Sequence, residues 1–537
     1  MHRHHSRRTF LGLAAATAAA GVTAREPAFA GPDRSRVQTY PLPSIYPVSV
    51  DFSLSVNGTP IPVTTFAPEP GSEVEYHYAH FSFHGRVTLE VSVGADIVTH
   101  TVSPLALDIP TRAHGNKLTF SIDRSRYLIV KIDDLRELVI AADPAETAPP
   151  RAHGPGIFNI LDFGADPTGG TLATQAIQSA IDAAQVAGRG VVYVPAGVFS
   201  IGSLVLRSRV HLYLAGGSVL RATGRPADYA KKFRKDSLKM DGTWLISTEP
   251  GSSDITVSGR GTIDGQGARM RKNSSYLNHL LIPLGTRRFR LDGVIGRDAG
   301  SWAVLPSRSS DVRITNYKGF QSQLQFENDA IDINECQDVI VRHTIAISED
   351  DPYSTKAWAE DTDLALSWPH PRQPVERVLF EDIVAWTHCA AFKIGNGHFS
   401  RQTDVTYRKG YVYNATRAIA VDPAYGSEPC TRIRYEDIDV ESLDHNRGNQ
   451  NWLLINTRER GTGIGPVSGV VVDRVNVRHQ GAMKPLLAAG NANGTINDIT
   501  LRNIVIEGTP LRSFEQLAIP LGPNVEKPVV SFHGGVR

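Results

Sequence analysis

The 537 residues carry 56 Lys and Arg against 55 Asp and Glu, a formal net charge of +1, with 41% apolar residues and 47 glycines. That balance gives no electrostatic drive toward nucleic acid or an anionic membrane surface, and no run beyond the N-terminal segment reaches the ~18 apolar residues of a membrane span. The length exceeds an ordinary single core, so a second domain or a solenoid is expected, and the glycine content suits a turn-rich β architecture.

At the N-terminus, Ser6-Arg7-Arg8-Thr9-Phe10-Leu11 precedes an Ala-rich run and Ala28-Phe29-Ala30, a small-x-small cleavage site. Residues 1–30 have the form of a twin-arginine export signal, so the mature chain is expected to begin near Gly31 and to be exported. Cys336, Cys389 and Cys430 are the only cysteines, too few and too odd in number for a disulfide framework. Folding before export, in a reducing compartment, also argues for free thiols in or beside strands. No Cys/His spacing suggests zinc, and neither a metal nor a cofactor is expected.

From about residue 37 to 142 short strands alternate with turns: Val48 to Val56, Arg86 to Val93, Lys117 to Ile122 and Tyr127 to Ile132. Asn57-Gly58 between apolar stretches is a hairpin signal, and the segment reads as a small β-sandwich. Residues 143–156, opening Asp143-Pro144-Ala145-Glu146-Thr147-Ala148-Pro149-Pro150, have the composition of a linker.

The region 157–537 opens with one amphipathic helix, Thr174 to Ala187, whose apolar residues Ile177, Ala180, Ile181 and Ala184 share a face. Strands follow in a repeating form, Asp-Val-x-Val/Ile, at Asp254, Arg288, Asp311, Asp338, Arg377, Asp404, Arg432, Gly469 and Asp498. The spacings run from 23 to 39 residues. A shortest period in the low twenties, with insertions that lengthen some turns, is the mark of stacked coils. The expected fold is all-β: a right-handed parallel β-helix, capped by the helix at its open end, behind the N-terminal β-sandwich.

Asp329 and Asp350 are 21 residues apart, close to one coil, with Asp351 adjacent. Residues one turn apart in a solenoid stack above each other. Each acid closes a strand or opens the next turn, so these side chains are expected to face outward from one rigid wall. Carboxylates gathered in this way are what inverting glycoside hydrolysis requires, one as the acid for the leaving oxygen and the others to hold water on the far side.

Phe163-Gly164-Ala165, Ala176-Ile177-Gln178-Ser179-Ala180-Ile181-Asp182 and Val194-Pro195-Ala196-Gly197 resemble the start of the polygalacturonase-like glycoside hydrolases of family 28. The resemblance runs on to roughly Gly426. The family's Asn-Thr-Asp-Gly and Gly-Asp-Asp motifs correspond to Glu327-Asn328-Asp329-Ala330 and Glu349-Asp350-Asp351, and Lys356 stands where the family often has lysine. The resemblance implies Asp350 as general acid, with Asp329 and Asp351 activating water. Crowding of the three carboxylates is expected to raise at least one pKa.

The departures concern the substrate. The family's His-Gly motif corresponds to His388-Cys389, with Lys393 close behind; its Arg-Ile-Lys motif is replaced by Ala418-Ile419-Ala420, leaving Arg417 one position off and Asp422 nearby. In polygalacturonases that cationic pair holds the substrate carboxylate, so its loss argues against galacturonate at the cleaved bond. Family 49 dextranases and isopullulanases, which also join a sandwich to a β-helix with three aspartates, act on neutral α-glucans and are the competing likeness. The turn from Trp358 to Pro374, with Asp361, Asp363, Trp368, His370 and Arg372, is an insertion beside the catalytic coil and is read either as a specificity loop or as a packed one. Substrate contacts are thus assigned to His388, Lys356, Lys393, Trp358, Arg417 and Asp422, the partner being a polysaccharide or oligosaccharide. Two alternatives stay open: a polysaccharide lyase with Lys356, Lys393 or Arg417 as base, and a carbohydrate-binding solenoid without catalysis.

Overall fold

In a computed structural model the described residues are 36–69, 71–359, 364–444 and 450–534. The signal read at residues 1–30 lies outside them, as do Asp361 and Asp363. Among the described residues no helix is long and apolar enough to cross a membrane.

From Ile157 onward the chain winds as a right-handed parallel β-helix. Strand follows strand in parallel register, and β-branched residues recur at one position: Val312, Val339, Val378, Val405, Ile433, Val470 and Ile499 pair in sequence, coil on coil. All are at most 2% exposed. Two residues further along, Phe380, Tyr407 and Tyr435 form a stack with ring centroids 4.6 and 5.0 Å apart and nearly parallel planes. Interior rows of like side chains satisfy packing on both neighbours at once. Helix α1 (Thr174–Val186) closes the first coil with Ile177, Ala180, Ile181 and Ala184 buried, the four residues its periodicity selected.

The residue that opens each repeat is a corner and not a plain strand residue. Asp254, Arg288, Asp311, Asp338, Arg377, Asp404, Arg432, Gly469 and Asp498 all adopt φ between 52° and 65°. This left-handed conformation bends the chain into the next side of the coil; Asp and Gly tolerate it, whereas Arg is strained there. Each arginine corner meets an aspartate corner of the preceding coil: Arg288 with Asp254 at 2.5 Å, Arg377 with Asp338 at 2.7 Å and Arg432 with Asp404 at 2.7 Å. A second file of corners five residues on includes Asn316, His343, Asp382, Lys409, Asp437, Arg474 and Asn503, with φ of 52–56°.

The N-terminal domain is two packed sheets. One contains Arg36–Thr39, Val63–Phe66, Tyr76–His84, His100–Ser103, Arg126–Ile132 and Leu138–Pro144; the other contains Ser53–Val56, Thr59–Ile61, Val87–Ser92, Thr111–His114 and Lys117–Ile122. Leu54, Val56, Leu89, Val91, Phe81, Val130 and Ile140 fill the space between them. Asn57-Gly58 is the expected hairpin turn, both residues at positive φ. The first sheet is buried on both faces. Its outer face, with Phe66, Tyr76, Tyr78, Tyr127 and Ile129, packs on Ile295, Phe320, Ile345, Ile347, Val384 and Trp386 of the solenoid.

The strand Leu138–Pro144 runs two residues into the stretch whose composition reads as linker. Asp143 there is fully buried and meets Lys318 (2.5 Å), Arg260 (3.1 Å), His80 (2.8 Å) and Tyr127 (2.6 Å). Burial alone would raise this carboxyl, but Lys318 and Arg260 of the solenoid hold it well below the usual range. Asp143→Ala is expected to strand two buried cations and cost about 3–5 kcal/mol, read by denaturant unfolding of the whole chain. A loss under about 1 kcal/mol would mean that the ion cluster does not join the domains.

Candidate active site

A second parallel sheet, comprising Ile331–Asn334, Tyr353–Ala357, Ala390–His398, Arg417–Val421, Asn451–Thr457 and Leu486–Ala489, forms another side of the solenoid. Alternation turns Ile331 and Ile333 into the core, leaving Asp332 and Asn334 on the outer face. Here Ile331 pairs Tyr353 and Asn334 pairs Lys356, a shift of 22 residues. The Ala330 N–H donates to the Asp351 carbonyl at 3.1 Å. The spacing of 21 is therefore one short of the coil, and Asp329 stands beside Asp351 instead of Asp350. Asp329 and Asp351 are each 1% exposed, while Asp350 is half-buried. These acids turn outward from the solenoid core into a cleft, and two of them are enclosed by it.

Lysines make that burial possible. Lys356 Nζ contacts the Asp329 carboxylate and lies 2.9 Å from Asp332 Oδ1; Lys393 Nζ lies 2.6 Å from Asp351 Oδ2. Burial, and after it the charge of Asp332, raises Asp329 well above the ordinary aspartate value, with Lys356 opposing. Burial likewise raises Asp351 against the pull of Lys393. For both lysines burial favours the neutral amine, but the neighbouring carboxylates override it and hold each ammonium above its usual pKa. Asp329 Oδ1 and Asp351 Oδ1 are buried with no hydrogen-bond partner among the described residues, so each acid has one oxygen tied to lysine and one unsatisfied.

Asn328 fixes the turn that carries Asp350. Its Oδ1 accepts the backbone N–H groups of Glu349 (2.9 Å) and Asp350 (3.2 Å), and its Nδ2 donates to the Ser322 carbonyl (2.5 Å). From the other side the Ser348 and Thr387 hydroxyls both donate to the Asp350 carbonyl at 2.6 Å. Cys389 Sγ lies within 4.8 Å of the Asp350 and Asp351 carboxylates.

The cleft holds roughly 590 Å³. Trp302, Trp358, Phe399 and Tyr425 supply aromatic surface. Lys235 and Lys356 lie over the Trp302 ring at 3.9 and 3.7 Å, and Lys235 pairs with Glu327 at 2.7 Å. Arg460 rests on the Tyr425 hydroxyl at 3.2 Å.

Of the residues read from sequence, Asp329, Asp350, Asp351, Lys356, Lys393 and Trp358 come together here. His388, Arg417 and Asp422 do not line the cleft. His388 is half-buried in the turn beside Cys389, Arg417 opens its strand, and Asp422 is engaged by Arg458, with Nε at 2.9 Å. Ala420, at the position of the missing cation, pairs in register with Lys393 and packs with Ala390 and Leu454. In the insertion, Trp358 and Ala359 reach the cleft, whereas Leu364 and Ala365 are buried and Trp368 packs beside them; Arg308 lies over the Trp368 ring at 4.3 Å. Glu327, Asn328 and Asp332 went unread as site residues although they adjoin Asp329. Polar residues alternating with Ile331 and Ile333 were the available signal for Asp332. Lys235, Trp302, Tyr425 and Arg460 arrive from distant parts of the chain and carry no local signal.

Comparison with known proteins follows the same lines. Residues 157–249 match the family described as rhamnogalacturonase A/epimerase, pectate lyase-like. An exo-poly-alpha-D-galacturonosidase of Dickeya chrysanthemi is 37% identical over 122 residues, 21% of this chain and 20% of that enzyme. The chain spans about half the length, at most, of the first curated relatives it matches. Among solved structures, a hyperthermoactive exopolygalacturonase from Thermotoga maritima superposes with a TM-score of 0.55 at 18% identity, over 72% of this chain and 93% of that one. Dex49A from Penicillium minioluteum superposes with a TM-score of 0.60 at 12% identity, over 92% of this chain and 96% of that one. The chain is similar to the polygalacturonase-like glycoside hydrolases in sequence over part of its length and in fold over most of it.

Proposed function

We propose that this chain is a glycoside hydrolase that cleaves O-glycosyl bonds of a polysaccharide or oligosaccharide with inversion. The observation that carries the reading is the division of labour among three neighbouring carboxyls. Asp329 and Asp351 are buried, steadied by lysines, and each keeps one oxygen without a hydrogen-bond partner among the described residues. That is a cradle for an attacking water. Asp350, half-buried and held by backbone contacts on both sides of its turn, is the carboxyl assigned to protonate the leaving oxygen. Export by the twin-arginine route belongs to the proposal and rests on the N-terminal sequence.

The sugar at the cleaved bond is neutral or unusual, not galacturonate. Lys356, Lys393 and Lys235 are each engaged by a carboxylate of the protein, and Ala420 fills the place of the missing cation. Aromatic faces and hydrogen-bonding groups remain, which suit uncharged rings, with Arg460 beside Tyr425 as a further cation of the lining. The lyase alternative loses ground on the same observation, since a lysine held above its usual pKa by carboxylates is a poor general base.

Asp350→Asn is expected to lower reducing-sugar release by about two to four decades while glycan binding persists. Asp329→Asn and Asp351→Asn should be severely impaired as well. NMR of the first-formed product should show the inverted anomer; retention would refute the mechanism, and efficient release of galacturonic acid from polygalacturonate would refute the substrate assignment.

The acid limb of kcat/KM should lie above the range of an ordinary aspartate, because the water-holding acids must be ionised and burial raises both. Lys356 opposes that rise at Asp329, so Lys356→Met should move the limb to still higher pH. An unmoved limb would show that Asp329 does not act as base.

A further inference from the structure

We propose that the sandwich and the solenoid jointly build an outer glycan-binding site, which takes the part of the substrate chain that leaves the active cleft over Phe326. The inference rests on the hydrolase reading above and extends it to substrate length. Between the sandwich turn at Glu69 and Ser72, helix α2 (Gly267–Ser274) and the loop 322–326 lies a second cleft of about 400 Å³. It adjoins the first: Phe326 lines the outer cleft and its neighbour Glu327 lines the active one.

The lining suits a sugar chain. Phe326 is 57% exposed and Leu324 64%, an apolar platform of the kind on which sugar rings stack. Arg271 lines the cleft beside it. Its Nε donates to the Gly300 carbonyl at 2.7 Å, whereas Nη2 is buried and has no partner among the described residues. Burial draws Arg271 down to about 10, while Glu327, Asp298 and Asp350 pull the other way, so this guanidinium also senses the acids of the active cleft. Lys272, in contrast, is spent on Glu69 at 2.6 Å.

The platform is held firmly, so its exposed apolar groups are not those of a slack loop. Glu75 of the sandwich accepts from the Ser322 hydroxyl (2.7 Å) and the Gln323 N–H (2.5 Å), and the Tyr76 hydroxyl donates to the Gln321 carbonyl (3.0 Å). Gln325 Nε2 donates to the Ala299 carbonyl at 2.7 Å. Both domains thus fix the loop, and a rigid wall is what a subsite requires.

The test is a chain-length series of the hydrolysed glycan, applied to the full-length wild type, Phe326→Ala and Arg271→Gln. In the wild type kcat/KM should rise once the chain outgrows the active cleft. Either substitution should remove about 5-fold of that rise, and Phe326→Ala should leave the thermal midpoint unchanged. A loss confined to uronate-bearing chains would assign a carboxylate to Arg271; a loss on neutral chains would assign hydroxyls. An undiminished length dependence in both variants overturns the outer site. If the wild type hydrolyses no glycan, the hydrolase reading falls by itself, and affinity electrophoresis in polysaccharide-containing gels decides the outer site. Retardation of the wild type that is lost in Phe326→Ala supports it, and equal migration of the two overturns it.

Discussion

A parallel ladder leaves each coil little freedom: a residue lies beside its counterpart on the next coil or the interior row is broken. The file from Val312 to Ile499 keeps that register through repeats of very unequal length. Surplus residues must therefore leave at the turns, and the left-handed corners mark where the chain bends. The cleft follows from this constraint. Its floor is a sheet that cannot shift, and its walls are the excess length of the turns that carry Trp302, Trp358, Tyr425 and Arg460. A wall of this kind is preorganised by the fold, with little conformational freedom left to remove on binding.

Burial decides the chemistry that can occur there. Three carboxylates in water would be three ordinary anions. Enclosed between coils, two of them require neighbouring ammonium groups, and Lys356 and Lys393 provide them from the next positions on the same outer face. The pairing settles two matters together. It holds the buried carboxylates in place, and it occupies two of the cations that an acidic sugar would otherwise attract.

The solenoid was legible because its signals are local and repeated: β-branched residues at fixed spacing, one amphipathic helix, and acids at the end of a strand. Even so, the residue at the head of each repeat looked like the start of a strand, since a φ value leaves no trace in an apolar pattern. The one-residue slip at Asp329 arose in the same way, from a spacing that counts residues without knowing how many the turn consumes. Tyr76–His84, the central strand of the sandwich, alternates aromatics with histidines and lacks the usual polar face, because both of its faces are covered. The outer parts of the site were illegible for a different reason. Lys235, Trp302, Tyr425 and Arg460 meet only after several coils have stacked.

The sheet that is buried on both sides bears on how such a protein can be inherited. Domains that meet through polar surfaces can be traded between genes as cassettes. Here Ile295, Phe320, Ile345, Ile347, Val384 and Trp386 of the solenoid complete a core whose other half lies in the sandwich. A lineage that lost the sandwich would lay bare a greasy stripe spanning several coils and would have to recolour it with polar residues in the same evolutionary step. A lineage that acquired the solenoid alone would acquire an aggregating protein. A change along the seam in one half therefore calls for a matching change in the other, whereas the loops carry no such demand.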